Sequence, residues 1–177
     1  MNGKRLEEEL YGTVPASQEF LSKITGEEGP HLGAIKINED GTYQIYRPED
    51  PTKVLEKPVT DYMQMRTGFG MKELALNLLA YGKMHEENHV NVHYVKGDGM
   101  TKEDEEFITE LGTLNYLRGR KDLESVYAVA KIVNAYEYLA GRQMAKDLAE
   151  LIPEIKEEAK GLEKYLVQKY RPAAARA

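Results

Sequence analysis

Residues 71–95 read MKELALNLLAYGKMHEENHVNVHYV, and the fold turns on whether this stretch is one element or two. Leu74, Leu78 and Tyr81 recur at helical spacing. A further step of four from Tyr81 reaches His85, and another reaches His89. The last six residues, VNVHYV, alternate and are rich in β-branched and aromatic side chains. That composition favours a pleated strand. The pattern therefore predicts a helix ending near His89, then a strand over 90–95 closed by the turn residues KGDG. On such a strand His93 shares a face with Asn91 and Val95.

On the N-terminal side, KRLEEEL (4–10) and ASQEFLSKIT (16–25) predict two short helices. AIKI, NEDG and TYQIY give alternation on either side of a glycine-containing turn. They predict a hairpin with strands near 34–37 and 42–46. RPEDPTKVLEKP carries three prolines and reads as a loop or sheet edge, and residues 61–67 read as a helical turn. On the C-terminal side the chain is helical. Thr101 and Asp104 form a capping pair ahead of a helix running to about Arg118, with Glu103, Asp104 and Glu105 loading its first turn. Asp122 is the expected N-cap of a helix over 122–140, followed by segments over 142–152 and 153–170. The expected class is α+β: an N-terminal hairpin plus one or more strands with helices, then an antiparallel layer of three to four C-terminal helices. Residues 1–100 form the α+β part and 101–170 pack on it as one compact domain. Residues 171–177 are expected to fray.

The 177 residues are 41% hydrophobic and 31% charged, enough for a buried core. Cysteine is absent, which excludes disulfides, thiol catalysis and cysteine-held metal. No stretch has the length of a membrane span or the apolar core of a signal peptide, so a cytoplasmic location is expected. The net charge of -6 argues against a broad nucleic-acid footprint. The one dense basic spot, Arg118, Arg120 and Lys121, reads as a solvated turn.

Three of the four histidines fall within residues 85–93, HEENHVNVH. On a helix, His85 and His89 project from one face and can share a zinc ion. HEENH resembles the zincin metallopeptidase motif. That resemblance implies His85 and His89 as ligands and Glu86 as general base, with zinc polarising a carbonyl and activating water. Departures accompany it. Glu87 is charged where zincins carry an uncharged residue. His93 follows without the glycine of the metzincin continuation. Around Asn134 the glutamate, Glu137, is displaced from the gluzincin pattern. Glu137 and His93 are the candidate third ligands.

Two other stretches have the composition of binding loops. NEDG fails as a calcium loop, because Lys36 and Arg47 would stand where carboxylates belong. TGFGMK (67–72) could offer backbone N–H groups to an anion or nucleotide, without phosphate-loop spacing. The first functional expectation is a non-catalytic interaction or assembly protein with no cofactor. It would use its amphipathic C-terminal helices toward a protein partner or a second copy. The alternative is a zinc-dependent hydrolase, and the third is an anion-binding module at 67–72.

Overall fold

The structure is a computed structural model and describes residues 3–170; the expected frayed tail lies outside them. In chain order the elements are α1 (Gly3–Glu9), β1 (Val14–Ala16), α2 (Gln18–Thr25), β2 (Ala34–Ile37), β3 (Tyr43–Pro48), α3 (Lys57–Thr67), α4 (Met71–Val95), α5 (Lys102–Arg118), α6 (Glu124–Leu139), α7 (Gln143–Leu151) and α8 (Glu154–Tyr170). This is the α+β arrangement: a small sheet near the N-terminus and a helical C-terminal region.

Strand and turn chemistry set the sheet. β2 and β3 pair antiparallel, with Ile35 opposite Ile45. Their turn closes through the Gly41 N–H donating to the Asn38 carbonyl at 3.0 Å, with Gly41 at φ 87, where a side chain would be strained. The third strand is β1, which pairs parallel with β3 and gives the order β1-β3-β2. The prolines of 47–58 are placed where a missing N–H costs little. Pro48 ends β3, Pro51 opens a 3-10 turn, and Pro58 lies in the first turn of α3. The helix read as a turn at 61–67 is thus a full helix from Lys57.

The strand expected over 90–95 is corrected: α4 is one helix of 25 residues, roughly 37 Å long at 1.5 Å per residue. The alternation of Val90, Val92 and Tyr94 loses to helical spacing, because Val92 follows His85 and His89 on the buried stripe and is 5% exposed. β-branched residues cost a helix only a fraction of a kcal/mol each. Stopping at His89 would give up that burial and the remaining helical hydrogen bonds. The end of α4 instead reaches the hairpin as a helix, where the Tyr94 hydroxyl donates to the Gly41 carbonyl at 3.3 Å. Asp122 is also corrected: it lies in a 3-10 turn (Lys121–Leu123) and α6 starts after Leu123 without a side-chain cap. Arg120 holds the Asp122 carboxylate at 2.6 and 2.9 Å.

The core lies around α4 and α6. Leu74, Leu78, Leu114, Val126, Val129, Leu148 and Ile155 are fully buried there. The loop before β2 is pressed onto α4 at Gly82, where an added Cβ would stand 2.4 Å from the Leu32 carbonyl oxygen. That contact places residues 32–33 directly over the next turn of α4, which carries Glu86. Among the described residues, no helix is long and apolar enough to cross a membrane.

Candidate metal centre between α4 and α5

The helical continuation of the Leu74, Leu78, Tyr81 stripe places His85 and His89 against α5. The Thr101 capping box fixes where α5 begins, with the Asp104 N–H donating to the Thr101 hydroxyl at 3.0 Å. Counting on from there, Glu106 and Glu110 are one helical turn apart, the same i,i+4 spacing as the two histidines. The two faces mesh. His85 Nε2 lies 3.3 Å from Glu106 Oε2, and His89 Nε2 lies 3.1 Å from Glu106 Oε1. The other nitrogen of each ring also faces a carboxylate. His85 Nδ1 is 3.6 Å from Glu110 Oε1, and His89 Nδ1 is 3.6 Å from Glu105 Oε1 and 3.4 Å from the Thr109 hydroxyl. Both rings therefore present Nε2 to one shared carboxylate and are backed at Nδ1 by another.

The site is partly buried. The His85 and His89 side chains are 16% and 12% exposed, whereas Glu106 at 35% opens it toward solvent. Burial alone would push His85 down. The Glu110 charge and the contacts with Glu106 and Glu110 outweigh it and hold the imidazole well above its ordinary value. Burial likewise opposes ionisation of Glu106, but its contacts with both imidazoles hold the carboxyl far below the carboxylate range. Without a metal, the cluster is a compensated set of imidazolium and carboxylate.

Glu86 sits a third of a turn from His85, beneath the loop at Gly33; a Cβ on that glycine would be 3.0 Å from Glu86 Cγ and 3.5 Å from its Oε1. Burial raises its pKa. His85, Glu86 and His89 each place a ligand atom within 4.8 Å of the others.

The two candidate third ligands stand elsewhere. His93 is exposed and stacks edge-on against Tyr94. Each step of four on a helix advances 40° around the axis, so by His93 the face has turned away from α5. Glu137 is engaged by Arg142 at 2.9 Å. The sequence alone does not single out Glu105, Glu106 and Glu110. The signal that could have found them is the matching i,i+4 spacing of Glu106 and Glu110, interleaved with the buried Thr109 and Thr113.

The other candidates are plainer. Residues 67–72 form the α3–α4 joint, with Gly68 at φ 76. There the Phe69 N–H donates to the Thr67 hydroxyl and its carbonyl accepts from Gln64. Arg120 is occupied by Asp122 and Tyr116, and Arg118 lies 3.8 Å from Glu154. The sequence matches no protein-family model, no curated protein and no solved structure, so no relative assigns a role to any of these residues.

Proposed function

We propose that the chain binds one divalent transition-metal ion, with zinc the first choice, between α4 and α5, through His85 Nε2, His89 Nε2 and Glu106. One observation carries this reading: both imidazoles present Nε2 to the same carboxylate at 3.1 and 3.3 Å. Two donors at 2.0–2.1 Å from a tetrahedral ion stand about 3.3 Å apart. The carboxylates behind each Nδ1 are the outer partners that metal-bound histidines use. Nitrogen and oxygen donors without sulfur suit zinc and its first-row neighbours.

The test is metal analysis of protein purified without chelator or histidine tag, with His89→Ala beside it. The expected result is one zinc per chain in the wild type and none in the variant. Equal, negligible metal in both would end the proposal.

Glu86 supports a second reading, zinc-dependent hydrolysis, because it sits in the same group as the histidine pair and is kept from solvent. In that reading Glu86 is the proton acceptor. Glu86→Gln should then keep zinc and lose hydrolysis of a test ester; an unchanged rate sinks it. The assembly reading rests on exposed apolar residues such as Tyr94, Val95, Leu151 and Val167, which lie on three separate helices. Light scattering at high concentration reads it directly, and a strict monomer ends it.

A further inference from the structure

Two buried atoms of the cluster have no hydrogen-bond partner: His85 Nδ1 and Glu110 Oε1. They face each other at 3.6 Å, and the Glu110 side chain is only 6% exposed. That separation is slightly beyond hydrogen-bond length, and unmet polar groups in such a place are costly.

The surroundings fix which atom must supply the proton. The Asn134 amide nitrogen donates to the Ala130 carbonyl at 2.9 Å and to the Tyr81 hydroxyl oxygen at 3.4 Å. Tyr81, accepting there, donates its own proton to Glu110 Oε2. With Oε2 taken by the Tyr81 donor, Glu110 Oε1 is the buried oxygen left to accept a hydrogen bond. The ring nitrogen facing it is His85 Nδ1. If Nδ1 carries the proton, the lone pair of a neutral ring is on Nε2, the nitrogen that faces Glu106.

We infer that Asn134, Tyr81 and Glu110 form a positioning relay that holds His85 in the Nδ1–H form and aims Nε2 at the metal. The inference rests on the metal reading above. Glu110 touches no ion in this scheme; it acts through His85. The relay runs from α6 through α4 to α5, so the orientation of one ligand is set by three helices rather than by its own rotamer.

The test uses the full chain labelled with ¹⁵N, because ring nitrogen shifts separate the two tautomers and identify the metal-bound nitrogen. The expected wild-type result is Nδ1–H in metal-free protein at alkaline pH, and zinc on Nε2 when loaded. Glu110→Met should lose the tautomer preference and bind zinc about 10- to 100-fold more weakly. Glu110→Gln keeps one accepting oxygen for two donors, so it should restore the tautomer and part of the affinity only when combined with Tyr81→Phe, which leaves that oxygen to His85 Nδ1. Tyr81→Phe should keep the tautomer and weaken zinc by about fivefold, the equivalent of one lost hydrogen bond. If Glu110→Met does not fold, the wild-type tautomer and the other two variants decide. Zinc bound through His85 Nδ1, or an Nε2–H wild type, overturns the relay and leaves the metal site standing. No zinc uptake by the wild type overturns the metal reading and, with it, the purpose of the relay.

Discussion

Tyr62 and Tyr81 each deliver a hydroxyl to a buried glutamate on a neighbouring helix, and the two sets end differently. On the α3–α8 side, Glu158 accepts from Tyr62 at 3.1 Å and from Arg66 at 2.7 and 3.3 Å. Both of its oxygens are taken, and the cation that closes the set keeps its charge at any ordinary pH. On the α4–α5 side, Glu110 accepts from Tyr81, but its second oxygen meets an imidazole that can give up its proton or take a metal. A buried tyrosine–carboxylate pair closed by arginine fixes helices. The same pair left to a histidine, with a second histidine one turn away, is equipped to bind.

The largest effect is expected from His89→Ala. It removes a ligand from the open set and should weaken zinc by more than about 100-fold, beyond the effect of losing an outer partner; calorimetric titration reads it. Glu158→Ala acts on the closed set. It strands the Tyr62 hydroxyl and the Arg66 guanidinium, and should cost about 2–3 kcal/mol in urea unfolding while leaving zinc affinity as it was. A change in zinc affinity there would mean that the two sets are coupled. Gly82→Ala forces a methyl into the Leu32 carbonyl and should cost about 1–3 kcal/mol. It should also loosen the loop above Glu86, read as faster amide exchange at residues 32–34.

The mildest perturbation changes only pH. His85 is raised above 6.5 in the folded protein. Its contribution to stability is therefore full below 6.5 and is lost as pH rises through the raised value. Glu106 is lowered from 4.5, so its contribution is full above 4.5 and is lost as pH falls toward its folded value. The His85 and Glu106 contributions together are therefore complete between about pH 4.5 and 6.5 and fall away on either side, while the raised Glu86 works the other way and costs stability as pH rises above 4.5. The check is the urea-unfolding difference between wild type and His85→Ala across pH. A difference independent of pH would contradict the cluster.

Some of this could be read from the sequence. The hairpin shows in its alternation around NEDG, the start of α5 in the Thr101–Asp104 capping pair, and the histidine pair in its i,i+4 spacing below Tyr81. β1 did not show, because three residues, VPA, carry no period and the strand exists only through pairing with β3. The end of α4 is ambiguous in the sequence because six residues fit both periods, and only the burial of Val92 distinguishes them. The carboxylate half of the site was hidden by abundance. In TKEDEEFITEL five residues are acidic, and nothing local says that Glu106 and Glu110 face α4 while Glu103 faces water.

An ion held between α4 and α5 by His85, His89 and Glu106 is visible in zinc-loaded crystals measured on either side of the zinc absorption edge. One anomalous peak is expected between the two helices, about 2.0–2.1 Å from both Nε2 atoms and bonded to Glu106. A zinc-loaded crystal with no peak there, and the imidazoles still paired with Glu106, would contradict it.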